Sequence, residues 1–302
     1  MAGMATISAG ATQALVSVTD PLLASIRDLI CRISGIFFPD NKLYFVADRC
    51  SRRMRALHVS SLAEYRDRLS IRGGKEAEIT SLLGEITVGE TCFFRYLPHL
   101  EALRNVVLPA ILLPRQKQSF THLRVWSAGC STGEEAYTMA MVLQEEFARS
   151  WPGWTFEILA TDLNESSLDF ARQATYSDYT LRNTPLYFLQ KYFRKRGGLY
   201  HVIEPIRRQV SFTRLNLVDD SKMLFLKGID FIVCSNVLIY FGGDAKRRVI
   251  QHFFNNLLPG GYFFLGHSES LFGVNDDFKL VNFSGGTAYI KPARPMALAG
   301  AR

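Results

Sequence analysis

The chain has 302 residues, 48% hydrophobic and 21% charged, a globular balance long enough for a full core and usually for two domains. It contains no apolar run able to span a bilayer, and its six histidines lack a ligand spacing such as HExxH, so no metal is expected. Cys31, Cys50, Cys92, Cys130 and Cys234 are odd in number and form no CxxC pair, which reads as thiols in a reducing cytoplasm. The net charge of +7 suits an acidic partner; much of it lies before residue 76 with no aromatic nucleic-acid motif, so nucleic acid is not expected.

Residues 1–19 lack a basic start and a compact apolar core, so they read as a flexible N-terminus, not a secretion signal. Residues 20–85 carry three to five short helices: PLLASIRDLICRISGI, DNKLYFVADRCSRRMRALH and SLAEYRDRL show helical apolar spacing. Asp40 and the Ser60–Ser61 pair are candidate caps. ITVGETCFFRYLP (86–98) breaks the rhythm, and HLEALRNVVLPAILL resumes it. From 123 onward the spacing predicts strands and helices in alternation. LRVWSAG, WTFEILATDLN, QVSFTRLNL, GIDFIVCSNV and YFFLGHSES read as strands. EEAYTMAMVLQEEFAR, SSLDFARQATYS and AKRRVIQHFFNNLL read as helices, the last ended by a PGG turn. FKLVNFSGGTAYIKP closes the chain as a hairpin. The alternation predicts a mostly parallel sheet covered on both faces. Residues 183–209 interrupt it as a small inserted β unit.

In such a sheet, ligands sit beyond the carboxyl ends of the strands. The loop after the first strand, AGCSTG, uses Gly129 and Gly133 to let backbone approach a ligand. Its GxxxG spacing is not the GxGxxG of a pyrophosphate cradle. The helix that follows opens on Glu134 and Glu135, which would repel a pyrophosphate and suit a cation. S-adenosylmethionine, with a sulfonium, an ammonium and no phosphate, fits; so does the plain preference of acidic residues for helix N-termini. Asp162 ends the second strand, where a carboxylate can hold both ribose hydroxyls; an N-cap for the next helix is the other reading. Asn216 and Leu217 end the third strand, on the side where adenine is usually met, with Asp219 or Asp220 as alternatives. Asn236 ends the fourth strand, with Tyr240 one helical turn on.

ETCFFR, VWSAGCSTGEEAYTMA, ATD, NL, SNVLIYF and GHSES, in this order from about residue 20 to 292, together resemble the CheR family of bacterial chemoreceptor glutamate methyltransferases, which use S-adenosylmethionine and release S-adenosylhomocysteine. The resemblance implies a helical receptor-contacting domain over 20–85, an interdomain linker over 86–98 and a Rossmann-like class I methyltransferase domain over 99–292. It also implies the β-subdomain insertion at about 183–209 and a flexible tail over 293–302. It places Thr91 and Arg95 at the methionine end of the cofactor, Glu134 or Glu135 at its polar groups, and Asp162 at the ribose. Asn216 and Leu217 would meet the adenine side, Asn236 and Val237 the floor, and Tyr240 would sit with Arg95 beside the methyl group. Three positions depart from the family pattern: Gly89 replaces a frequent Asn or Thr and puts one cofactor contact in doubt, Ser235 replaces Arg, and Ala136 replaces Pro.

A glutamate carboxylate is ionised at neutral pH and needs no base, so no catalytic triad is expected. His267, Ser268 and Glu269, as neighbours on one strand, cannot form one and read as structural. Arg49, Arg52 and Arg53 share a helix face at i, i+3, i+4 and are the candidate contacts for a glutamate-rich receptor helix; a solvated charged face is the alternative. RKRGGLYHV is shorter than in members that grip a receptor tail, so no tail tether is expected. Nothing requires more than a monomer. Two competing functions remain: a non-catalytic adenosylmethionine-binding module that docks on receptors, which an intact Arg95, Asn236 and Tyr240 oppose, and a nicotinamide oxidoreductase, opposed by the missing GxGxxG.

Overall fold

The computed structural model describes residues 16–70, 75–87, 89–116, 121–224 and 226–293. The expected flexible ends, 1–19 and 293–302, lie outside the described residues except for 16–19 and 293. The chain forms two compact units. One runs through Arg32 and takes Phe37–Ile86; the other takes Ile33–Ile36 and everything from Thr87.

The first unit is helical: α1 (Pro21–Ser34), a 3-10 turn (Asp40–Lys42), α2 (Leu43–Ala56), α3 (Leu62–Arg68) and α4 (Lys75–Ile86). Leu23, Ile26 and Ile30 bury one stripe of α1, and Val46, Ala47, Cys50 and Met54 one stripe of α2. Ser61 caps α3, its hydroxyl accepting the Glu64 N–H at 3.2 Å. Asp40 does not cap α2. It opens the 3-10 turn and pairs with Arg27, and α2 begins without a side-chain cap.

The second unit opens with a continuous helical run: α5 (Leu97–Ala102), a π turn (Leu103–Val107), α6 (Leu108–Leu112) and a 3-10 turn (Leu113–Arg115). Pro109 lacks the N–H that would bond residue 105 and its ring crowds that carbonyl, which the π turn accommodates. Next come β1 (His122–Ala128), α7 (Glu134–Ser150), β2 (Thr155–Asp162) and α8 (Glu165–Gln173). A small sheet follows, of β3 (Thr175–Tyr176), β4 (Phe193–Arg196) and β5 (Leu199–Val202), with α9 (Leu186–Tyr192) between its first two strands. The remainder is α10 (Glu204–Arg207), β6 (Val210–Arg214), α11 (Asp220–Met223), β7 (Ile229–Cys234), α12 (Gly243–Asn256), β8 (Leu257–Leu265), β9 (Lys279–Phe283) and β10 (Gly286–Ile290).

The large sheet has the order β6-β2-β1-β7-β8-β10-β9. Its first five strands pair in parallel, and β10 pairs antiparallel with both neighbours. This is a Rossmann-like sheet with an antiparallel edge. Side chains alternate between two cores: Val125, Phe231 and Phe264 face one, Trp126, Ile232 and Phe263 the other, all nearly inaccessible. The chain leaves β1 toward β2 and later returns to β1's other side as β7, so the order reverses between β1 and β7. The crevice of an open α/β sheet lies at the carboxyl end of such a pair.

Four sequence expectations shift. The helix predicted over 166–177 stops at Gln173, because Ala174 turns left-handed (φ 53°) and the next two residues pair with β5. The small sheet therefore starts at Thr175. The strand predicted over 262–270 ends at Leu265, and 266–270 is a loop. Pro259-Gly260-Gly261 is not a turn before a strand but an irregularity within β8, where the register with β7 slips. A side chain at Gly261 would stand 2.8 Å from the Asp230 carbonyl oxygen, so only glycine fits. The strand predicted over 209–217 ends at Arg214, which leaves Leu215–Leu217 beyond it.

Candidate functional site

The loops after β1 and β7 meet at the switch point. Gly129 has φ 77°, and a Cβ there would lie 2.4 Å from Val237; glycine is what lets the two loops touch. The Gly129 and Cys130 N–H groups both donate to the Thr161 carbonyl oxygen (2.7 and 2.9 Å), tying the loop to the end of β2. Gly133 has another role. It caps α7 in a left-handed conformation, and a Cβ would press on Ala171 and Phe212. It permits helix packing, not ligand approach.

Asp162 carries the clearest signal. The N-cap of α8 is Asn164, whose side-chain oxygen accepts the Ser167 N–H, so capping does not account for Asp162. One Asp162 oxygen accepts the Ser131 N–H at 2.8 Å, the other the Asn164 N–H at 2.9 Å. Burial pushes its carboxyl above the usual range, against those backbone bonds. A half-buried carboxylate at a strand end with its charge opposed by desolvation is a candidate ligand contact.

The two adjacent glutamates separate. Glu134, 1% exposed, accepts the Thr132 hydroxyl at 2.6 Å. Glu135 accepts the hydroxyl of Ser127 on β1 (2.7 Å), and the Ser235 side chain just after β7 favours its charged form. Burial raises both carboxyls; at Glu135 the serine hydroxyls and Arg95 work against the rise and Glu269 adds to it. Glu135 is thus the member of the pair held between the strands of the switch. Ser235, a departure from the family pattern, has a task here.

The segment bearing Gly89, Thr91 and Arg95 is pinned by aromatic anchors. Phe93 and Phe94 are buried; the Phe93 ring meets Tyr176 edge-on at 4.8 Å and Phe193 at 5.1 Å. The Phe94 N–H donates to Thr138. Arg95 emerges exposed, donating to the Glu90 carbonyl at 2.8 Å. The Gly89 carbonyl accepts the Ser131 hydroxyl at 3.2 Å, and a Cβ at Gly89 would come within 2.9 Å of that oxygen. Ser131 thus links Gly89 to Asp162. Thr91 is half-buried in the same segment.

Tyr240 ends a 3-10 turn (Leu238–Tyr240) anchored by buried Leu238, and at 39% exposure it is not a core aromatic. Asn236 holds a left-handed backbone, φ 59°. Asn216 spends its side-chain amide on the Ile33 carbonyl at 2.7 Å, and its oxygen accepts the Val218 N–H. Leu217 is buried and its carbonyl bonds His252. Both therefore shape the end of β6 chiefly through backbone and packing.

The arginines of α2 divide. Arg53 grips Glu78 with two bonds (3.0 and 2.7 Å), and Glu78, 8% exposed, also accepts the Tyr65 hydroxyl at 2.8 Å. Arg53 is thereby committed inside the first unit. Arg49 pairs with Asp48 and lies over Phe45 at 4.3 Å. Arg52, also near Asp48, is the exposed one.

Sequence reasoning missed Ser127, Thr132 and Ser131, which orient the carboxylates, and it placed Glu269, read as structural, on a strand where the structure has the loop after β8. Among the described residues no group of three or more His, Cys, Asp or Glu is arranged to hold a metal ion, and no helix is long and apolar enough to cross a membrane. The inward-facing groups are acceptors for hydroxyls and cations, with Arg95 at the edge; they fit a nucleoside bearing a sulfonium and an ammonium.

A Rossmann-like sheet with Glu134 and Glu135 following the loop after β1 and Asp162 ending β2 is the arrangement expected of an S-adenosylmethionine-dependent methyltransferase. The CheR methyltransferase SAM binding domain matches residues 89–286, and the CheR methyltransferase all-alpha domain matches 21–87. "Chemotaxis protein methyltransferase 2" of Vibrio cholerae serotype O1 is 36% identical over 279 residues, 91% of this chain and 94% of that one. "Chemotaxis protein methyltransferase 1" of Pseudomonas aeruginosa is 35% identical (87% and 95% covered), and the "Chemotaxis protein methyltransferase" of Borreliella burgdorferi 31% (85% and 91%). The chain belongs to the CheR methyltransferase family, and S-adenosylmethionine is its cofactor.

Proposed function

We propose that the protein is a cytoplasmic protein-glutamate O-methyltransferase acting on bacterial chemoreceptors, where methyl esters of receptor glutamates serve sensory adaptation. The relatives' names support chemotaxis as the setting. The observation that carries the reading is the grouping of Asp162, Glu135 and Arg95 at the carboxyl end of the sheet with no proton-relay pair among them.

The cofactor, when bound, supplies an activated methyl group with a neutral leaving group. The chain's residues would orient and exclude water. Asp162 would accept the ribose hydroxyls and Glu135 the ammonium. Gly129 and Val237 would form the floor, with the Asn216–Leu217 turn closing the adenine side. Arg95 would hold the incoming carboxylate, with Tyr240 beside it. A carboxylate nucleophile needs only alignment and desolvation, which can lower the barrier by up to about 7–11 kcal/mol. Arg49 and Arg52 on α2 offer positive charge to an acidic receptor helix.

The test is incubation with labelled S-adenosylmethionine and receptor-bearing membranes, followed by mass spectrometry of the receptor. Methyl esters at glutamates are expected, absent with Arg95→Ala while S-adenosylhomocysteine still binds. Unchanged turnover in that variant would refute the role of Arg95, and methylation elsewhere would refute the substrate.

A further inference from the structure

The loop after β8 holds a carboxylate that neither cofactor nor substrate is assigned to. One oxygen of Glu269 accepts the N–H of Asn236 (2.7 Å) and of Gly266 (2.9 Å); the other accepts the N–H of Ile239 (3.1 Å). Three backbone donors converge on one side chain from two separate loops, as they do on a bound anion. The Glu269 N–H returns to the Gly266 carbonyl at 2.9 Å, closing a tight turn. Just beyond, the Tyr289 hydroxyl takes the Leu271 N–H at 3.1 Å and so fixes this loop to β10.

The segment so gripped is the one that forms the site's floor. Asn236 stands at φ 59°, a conformation that costs a non-glycine residue free energy and persists only when its surroundings enforce it. Glu269 is what enforces it, through the N–H of Asn236 itself and of Ile239. The residue between, Val237, presses on Gly129, and the residue after, Tyr240, ends the same turn. Gly266 is part of the device. A Cβ there would lie 2.8 Å from the Glu269 carboxylate and 2.9 Å from both the N and the side-chain oxygen of Asn236.

We propose that Glu269, seated by Gly266, is a positioning residue of the methyltransferase: it locks Asn236–Tyr240 in the conformation that receives the cofactor. This rests on the adenosylmethionine reading of the same crevice. Glu269 touches neither cofactor nor substrate and acts through the backbone it holds.

The test uses the full chain, calorimetric titration with S-adenosylhomocysteine, and methyl transfer to receptor membranes. Glu269→Ala is expected to weaken S-adenosylhomocysteine binding about tenfold or more, through loss of charge-assisted bonds. Glu269→Gln keeps an oxygen for Asn236 and Gly266 and should restore affinity to within about threefold of the parent. Gly266→Ala should reproduce the Glu269→Ala defect, and the double variant should be no weaker than either single one, since both break one device. The KM for S-adenosylmethionine should move with these changes while the KM for receptor stays put, a split that general destabilisation does not produce. Glu269→Ala binding like the parent, or full additivity in the double variant, would overturn the proposal. If Glu269→Ala does not fold, Glu269→Gln against Gly266→Ala carries the same comparison: equal affinities there would overturn it. A parent protein that binds no S-adenosylhomocysteine would instead strike the functional reading itself.

Discussion

Asp162 shows how tertiary contacts narrow the readings of a single carboxylate. At a strand end it reads as a cap or a ribose ligand by spacing; Asn164 takes the capping bond, and Asp162 is left half-buried with desolvation opposing its charge. Replacing Asp162 by Ala should raise the S-adenosylhomocysteine dissociation constant about 10- to 100-fold, the worth of one or two bonds to a charged group. An unaltered constant in calorimetry would contradict the ribose assignment. Asp162, Gly129 and the paired glutamates are legible in sequence because strand-end position and glycine spacing are local signals. Ser127, Ser235 and Glu269 are not. Their bonds run to Glu135 and to Asn236, and the Glu269–Asn236 bond joins residues 33 apart through a loop whose course no periodicity announces.

At the scale of elements, alternating apolar patterns give the large sheet and its helices, and their failures are instructive. SSLDFARQATYS has helical composition throughout, yet β5 recruits its last residues into a sheet. PGG is a turn signal by propensity, yet it lies inside a strand because Gly261 must pass close to the Asp230 backbone. On α2, a row of arginines looks like one binding face, but tertiary contact assigns Arg53 to Glu78, which also accepts the Tyr65 hydroxyl. Burial and the neighbouring Glu78 charge push the Tyr65 hydroxyl far above its usual range, so it stays a donor to that carboxylate. Arg53→Ala leaves the largely buried Glu78 without its ion-pair partner and should cost about 2–4 kcal/mol in urea unfolding. Arg52→Ala, at an exposed site, should cost less than about 0.5 kcal/mol. Equal effects of the two would undo the division drawn between them.

At the scale of the molecule, the chain resolves into two units whose division is only partly visible in sequence. Ile33–Ile36 belongs to the second unit, through the Ile36–Phe241 bridge and the Asn216–Ile33 bond, although α1 gives no break in its apolar spacing before Ser34. The second unit also carries a built-in acid sensitivity. Burial, with a contribution from His267, lowers His99 to about 4, amid Tyr96, Phe264 and Phe283. Below about pH 6.5 an unfolded chain takes up a proton at His99 that the folded chain refuses until about pH 4. Stability should therefore fall as pH drops through that window and be insensitive to His99 above it. Melting temperatures from pH 7 to 4.5 should decline less in His99→Gln than in the parent; parallel curves would show that His99 is not the responsible group.

The most direct measurement of the central claim is the chemistry of the transferred methyl. After reaction with labelled cofactor and receptor membranes, the receptor is treated with mild alkali and volatile label is collected. If, as proposed, Asp162, Glu135 and Arg95 align a glutamate carboxylate with the sulfonium, an ester forms and the label should leave as methanol. Label that stays on the protein would mean that nitrogen or sulfur, not a glutamate oxygen, had been methylated, and would contradict the account.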